Sequence, residues 1–303
     1  MRIPPPSPML RPMKDQRRAI LLGLVTVLLW STVATAFKLA LRHLSPVALL
    51  AWAATASLLV LAGVVTARRG WTALRRAPRR DLLPAAGLGV INPCLYYLIL
   101  FEAYDRLPAQ VAQPLNYTWA LTLTWLSVPL LGQRLRGRDL LAGLVCYAGV
   151  AVIGTGGNLR DWRGVDPAGV GLALGSTLLW AFYWLGNARS RLEPASGLLV
   201  NFAVGAPLVL LYGWARGDLA ADGPGLLGAL YVGVVEMGLT FVIWLTALKL
   251  AQNTSRVANL IFLSPFLSLV FIQFVLGEAV RPATLGGLAL GVGVLVWQGR
   301  CRA

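Results

Sequence analysis

Residues 124–150, TWLSVPLLGQRLRGRDLLAGLVCYAGV, and residues 268–294, SLVFIQFVLGEAVRPATLGGLALGVGV, are two versions of one pattern. Each carries an apolar run into Leu-Gly-Gln or Leu-Gly-Glu, passes through a short basic turn and resumes as a glycine-rich apolar segment. A second pair lies upstream of these: TVLLWSTVATAFKLALRHLSP at 26–46 and STLLWAFYWLGNARSRLEP at 176–194, with Trp30 and Trp180 in register. Internal similarity at this spacing marks a duplicated architecture.

The solvent that this architecture faces follows from composition. Hydrophobic residues make up 57% of the 303, charged residues only 13%, and the mean hydropathy is +0.68. Soluble domains carry about 25% charged residues. A hydrocarbon core of ~30 Å takes ~20 apolar residues per helix, and runs of that length recur along the whole chain. The expected fold is therefore all-α, polytopic and membrane-embedded. A transmembrane barrel would read instead as segments of about 10 residues with alternating polarity.

The net charge of +15 does not point to nucleic acid. Its basic residues crowd short loops between apolar runs, and no basic-aromatic recognition module accompanies them. Cys94 and Cys146 lie inside apolar runs and Cys301 lies near the C-terminus, so neither a disulfide framework nor a metal spacing is present. No cofactor or metal is expected.

Apolar runs and their breakers predict ten transmembrane helices, at 19–41, 47–67, 82–103, 108–131, 138–157, 168–188, 196–215, 224–248, 254–277 and 282–299. Residues 1–18, Pro-rich and basic, read as a disordered cytoplasmic arm rather than a cleavable signal peptide. Residues 19–157 then form a first five-helix repeat and 168–299 a second. With both termini in the cytoplasm, 20 of the 27 Lys and Arg fall on the cytoplasmic side and only Arg42, Arg106, Arg160, Arg163, Arg216 and Arg281 on the outer side. An odd number of spans per repeat forces the halves to cross in opposite senses. That is the inverted repeat of secondary transporters, whose substrate site lies near the midplane between the halves.

In these pieces the chain resembles the drug/metabolite transporter superfamily, EamA type, over essentially residues 19–299. Within it, the sequence is similar to bacterial exporters of aromatic and other neutral amino acids. Members usually carry Glu in both Leu-Gly-Glu motifs; Gln133 replaces the first here and Glu278 keeps the second. The resemblance implies a multi-pass protein of the bacterial inner membrane, exporting aromatic and other neutral amino acids or similar small metabolites by alternating access, as a monomer or weak homodimer in the lipid bilayer. Gly171-xxx-Gly175 and Gly287-xxx-Gly291 permit close helix approach, within the monomer in preference to a dimer.

Polar residues inside spans face the bundle interior or a watery cavity, and helical spacing gathers them into stripes. Trp30, Ser31, Thr35 and Lys38 share a face of the first span, and Trp180, Tyr183, Trp184 and Asn187 one of the sixth. Asn92 and Tyr96 belong to the third, Gln113, Asn116 and Tyr117 to the fourth, Asn259 and Phe262 to the ninth. Together they predict an apolar, aromatic cavity in which sparse amides and hydroxyls orient a small zwitterion. Each also admits a structural use, in the interfacial belt or bridging helices. Pro114 and Pro265, inside the fourth and ninth spans, are candidate hinges that free a backbone carbonyl. Lys38 lies ~27 Å along its helix, at a depth similar to Glu102; it either snorkels to the outer interface or pairs with Glu102 to close the outer mouth.

Glu236 is the most unusual residue of the spans. It stands in YVGVVEMGLTFVIW (231–244), ~18 Å beyond Pro224 and so near the bilayer centre. No Lys or Arg in another span shares that depth. Gly233 and Thr240, one turn to either side, leave room for water or ligand. It either faces the cavity and meets a substrate ammonium, or is a protonated acid bonded to another helix. A multidrug carrier for organic cations would use the same acid and aromatic faces. Carriers of phosphorylated substrates would need more cavity cations than Lys38. A passive channel would show filter or charged-ring elements. An enzyme would show clustered catalytic groups.

Overall fold

A computed structural model of the chain describes residues 15–119, 166–251 and 259–300, with single positions at 122, 126, 141, 145, 148, 149, 152 and 257. The arm at 1–14, the Gln133 motif, most of the predicted fifth span and Cys146 lie outside the described residues. The described chain is helical, with no strand among the described residues: α1 (Gln16–Ala40), α2 (Pro46–Ala67), α3 (Arg79–Arg106), α4 (Ala109–Tyr117), α5 (Pro167–Arg189), α6 (Pro194–Ala215), α7 (Gly223–Leu250), α8 (Ser264–Leu276) and α9 (Pro282–Arg300). Among them α1, α2, α3, α5, α6 and α7 are each long and apolar enough to cross a membrane.

The starts of these helices are written locally. Asp15, Ser45, Asp166, Glu193 and Asp222 each accept a hydrogen bond from a backbone N–H two or three residues on. Pro46, Pro167 and Pro194 follow directly, where a missing N–H costs nothing. At Asp222 the Gly225 N–H, with His43 at 2.8 Å, holds the carboxyl below its ordinary range.

Three spans depart from regular helix at their centres. α1 breaks at Thr32, where Ser31 and Thr32 donate to the Leu28 and Leu29 carbonyls at 2.6 and 2.8 Å; such back-bonding bends helices. α3 opens into a π-type stretch, Val90–Leu95, in which Asn92 takes φ −143° and ψ 125°. Pro93 forces this, since the residue before a proline is pushed out of the helical region. α7 widens into π-helix over Val232–Thr240, with the Thr240 hydroxyl donating to the Val235 carbonyl at 2.6 Å. Glu236 sits on that stretch. The predicted ninth span is likewise divided: Asn259–Leu263 is 3₁₀ helix, Pro265 then opens a true α-helical segment, and Ile272–Leu276 is π.

Bare backbone crossings interlock the halves. A Cβ on Gly89 would collide with the carbonyl of Asn201 on α6, and one on Gly233 with the carbonyl of Ala53 on α2. Gly89 stands three residues before Asn92, and Gly233 three before Glu236. Ala53 and Asn201 each stand seven residues beyond the proline that opens their helix. Asn201 adds a polar lock: its Nδ2 donates to the Ala85 carbonyl at 2.6 Å and its Oδ1 accepts from Tyr183 at 3.0 Å. The predicted glycine pairs divide. Gly171 and Gly175 meet nothing within 4 Å, whereas Gly287 lies against Gly149.

Candidate functional site

The two tryptophans that the repeat puts in register meet. Trp30 and Trp180 lie 6.4 Å apart, centroid to centroid. Trp244 adds to the cluster at 5.4 Å from Trp30, and Tyr96 stacks on Trp180 at 4.3 Å. Phe241 and Trp184 close it at 5.4 Å from one another. Four helices, α1, α3, α5 and α7, thus converge on one aromatic layer. Aromatic pairs add ~0.5–1.5 kcal/mol each beyond area burial, so the layer is held firmly while presenting ring faces inward.

Beside this layer lies a cavity of about 30 Å³, room for one or two waters. Its wall comes from Trp30, Val33 and Phe37 of α1, Tyr96, Leu100 and Tyr104 of α3, and Gln113, Asn116 and Tyr117 of α4. Trp119, Trp180, Glu236 and Ile261 complete it. Glu236 is 6% exposed. The Tyr97 hydroxyl donates to its Oε1 at 2.6 Å, while Oε2 has no hydrogen-bond partner among the described residues. Near it, Tyr96 donates to Asn116 Oδ1 at 3.3 Å and Asn116 Nδ2 to Ser176 at 2.9 Å, while the Trp30 indole N–H has no partner among the described residues. Tyr117 shares a hydrogen bond with Ser264 at 3.0 Å. A buried carboxyl oxygen without a partner, in a cavity lined largely by aromatic side chains, is a receptor for a cation or a proton.

Of the residues proposed from the sequence, Trp30, Tyr96, Gln113, Asn116, Tyr117, Trp180 and Glu236 line this cavity together. Tyr183, Trp184 and Asn187 do not line it. They are buried one layer out, with Asn187 donating to the Tyr183 carbonyl at 3.1 Å. Ser31 and Thr240 spend their hydroxyls on their own helices. Thr35 and Asn92 are buried outside the lining. On α1 the wall is instead Trp30, Val33 and Phe37, spaced i, i+3 and i+7 on one helix face. The side chains of Asn259 and Phe262 lie outside the described residues. Pro114 is buried inside α4, one turn from the Tyr117 end of the helix. Val33, Phe37, Leu100 and Ile261 carried no sequence signal, being apolar residues among many. Tyr104 was visible only as an aromatic just past a predicted span end, and Trp119 as one in the middle of the predicted fourth span.

The expected Lys38–Glu102 pair does not form. Glu102 accepts from Arg106, one turn on in the same helix, at 2.7 Å, and Arg106 also reaches Asp166 at 3.3 Å. Lys38 instead donates to the Tyr104 carbonyl at 2.7 Å, with Glu278 and Asp105 in electrostatic reach. The clasp at this end is made by Glu278 and Gln110. Glu278 accepts from the Ala109 and Gln110 N–H groups at 3.4 and 3.5 Å, a carboxylate at the start of α4. Gln110 returns the contact, donating to the Ala279 carbonyl at 3.1 Å and accepting from the Arg281 N–H at 3.2 Å and Thr284 at 3.3 Å. Gln110→Leu strands those partners at about 1–3 kcal/mol. It is expected to speed thiol labelling of a cysteine at Val33 several-fold. Unchanged labelling would reduce the clasp to a purely structural tie.

A family model described as the EamA-like transporter family matches residues 17–155 and 167–297. A probable terminal-alkyne amino-acid exporter of Streptantibioticus cattleyicolor is 26% identical over 91% of both chains. An uncharacterized protein of Pseudomonas aeruginosa is 30% identical, over 70% of this chain and 75% of its own. An uncharacterized transporter of Bacillus subtilis is 25% identical over 66% of each chain, so this chain spans about two thirds of that relative. A solved crystal structure, 23% identical, superposes with a TM-score of 0.70 over 95% of this chain and 100% of its own. At that identity the likeness speaks to fold alone.

Proposed function

The chain belongs to the EamA-like transporter family, and from that premise we propose that it exports amino acids with apolar or aromatic side chains, or similar small metabolites, across the bacterial inner membrane by alternating access. The observation that carries the reading is Glu236: one partnered and one open oxygen, buried against an aromatic layer. An amino acid's ammonium pairs with that oxygen, and its side chain packs on Trp30 and Trp180. Its carboxylate is oriented by the amide of Gln113. The likeness to an amino-acid exporter is consistent with this. Ten spans in two inverted five-helix repeats are part of the proposal, supported by the exchanged crossings of Gly89 with Asn201 and Gly233 with Ala53.

The cavity's about 30 Å³ is far below the ~300–1,000 Å³ of a small-molecule pocket. Substrate entry therefore requires the α1, α3, α5 and α7 walls to part, which is the movement that alternating access supplies. Counterflow in proteoliposomes tests the proposal: external neutral amino acid should trade for labelled internal amino acid. The second reading, efflux of organic cations, draws on the same carboxyl and rings. Tryptophan and tryptamine separate the two, since tryptamine lacks the carboxylate. Exchange of tryptamine with no exchange of any amino acid overturns the first reading.

The basic bias predicts cytoplasmic termini. In protein lacking native cysteines, Ala221→Cys, in the exposed turn before α7, should label from outside, and Ala73→Cys, between α2 and α3, from inside. Labelling of both from one face would remove the assigned orientation.

A further inference from the structure

Away from the aromatic cavity, a second one of about 380 Å³ opens where the start of α3 meets the end of α5. Three guanidinium groups, Arg80, Arg189 and Arg191, line it against a single carboxylate, Asp81. Among the described residues, neither Arg80 nor Arg191 takes part in an ion pair. The rim is held in place: Lys249, at the end of α7, donates to the carbonyls of Ser190 at 3.3 Å and Leu192 at 2.6 Å. That fixes the loop bearing Arg191 and adds another positive charge beneath it.

The floor is apolar, made by Pro84, Leu88 and Gly186, with Gly186 close against the Leu88 side chain. The lining does not end there. Going back along α5 from Arg189 and Gly186, the same face continues through Phe182 and Leu178, which are 40% and 49% exposed. A cationic mouth thus opens onto a bare apolar ridge that runs toward the membrane centre. A free phosphate would use only the mouth. An amphiphile with an anionic head and hydrocarbon tails uses both.

We propose that this cavity binds the phosphodiester headgroup of an anionic bilayer lipid, with Arg80 and Arg191 on the phosphate and the acyl chains along Phe182 and Leu178. Guanidinium recognises phosphate oxygens by paired hydrogen bonds, and basic pockets between spans on the cytoplasmic side take such headgroups. Because α3 and α5 both supply the wall of the aromatic cavity, a lipid bridging their ends resists their separation. Asp81 sets the limit on affinity by opposing the same anion.

The test uses full-length purified protein in a neutral detergent, with thermal unfolding read against added short-chain phosphatidylglycerol, phosphatidylcholine of the same chain length, or inorganic phosphate. Phosphatidylglycerol should raise the unfolding midpoint, and phosphatidylcholine and phosphate should leave it in place. The Arg80→Gln/Arg191→Gln double variant should need at least about tenfold more phosphatidylglycerol, while Arg80→Lys/Arg191→Lys retains part of the response. Asp81→Asn should need less lipid than the wild type, and this holds as a test even if the double variant fails to fold. Equal shifts by both lipids overturn the proposal. So does a double variant titrating like the wild type, or an Asp81→Asn protein with no gain. A full shift by inorganic phosphate alone overturns the lipid assignment in favour of a free-anion site.

Discussion

Glu236→Gln is expected to yield a folded, membrane-inserted protein whose substrate exchange is slower by about 10- to 100-fold. The amide is isosteric, and its oxygen still accepts from Tyr97, whose hydroxyl lies 2.6 Å from Glu236 Oε1. What disappears is the ionisable oxygen, Oε2, which has no hydrogen-bond partner among the described residues. A hydrogen bond to a charged group contributes about 1.5–3 kcal/mol, and ~1.4 kcal/mol is a factor of ten in rate or affinity. The substitution should also flatten the pH dependence of exchange, since Glu236 is the only carboxyl among the described residues that line the cavity. Tyr97→Phe serves as the companion. It removes the donor and keeps the carboxyl, so it should alter the pH profile of exchange without the full loss. Wild-type exchange by purified Glu236→Gln protein from about pH 5 to about pH 9 would sink the assignment.

The next largest effect is expected from a single methyl group. Gly89→Ala and Gly233→Ala place a Cβ against the carbonyls of Asn201 and Ala53. Side chains turn aside, but these obstacles are helix backbone, and each crossing joins two packed spans. Overpacking of that kind costs about 1–3 kcal/mol, occasionally more. Both variants should therefore unfold several degrees below the parent, and together lower still. Gly63→Ala and Gly87→Ala are the controls, because an added Cβ there meets nothing within 4 Å. In a helix interior those changes should be neutral or stabilising by roughly 0.5–1 kcal/mol. A common unfolding midpoint for all four would mean that the crossings have slack.

Much of the protein is local and could be read without coordinates. Spans, their proline and acidic starts, and the likeness of the two halves follow from composition and from a few residues at each helix end. Glu236 stood out because burial of a carboxyl is costly wherever the chain goes. Trp30 and Trp180 stood out because duplication put them in register, and they do meet.

Tertiary structure decided the rest. Polar character named Ser31, Thr35 and Asn92 as cavity residues; Ser31 spends its hydroxyl on the Leu28 carbonyl, and the wall takes apolar Val33 and Phe37 from the Trp30 face instead. Lys38 and Glu102 share a depth, yet Arg106, four residues along the same helix, satisfies Glu102 first. Tyr97 carried no mark of its own. It became the partner of Glu236, 139 residues away, where the packed bundle brings α3 and α7 together. Depth in the membrane is a property of one segment and is written in its residues. Pairing between segments depends on how closely and at what angle backbones approach, and that is set by the whole packed bundle.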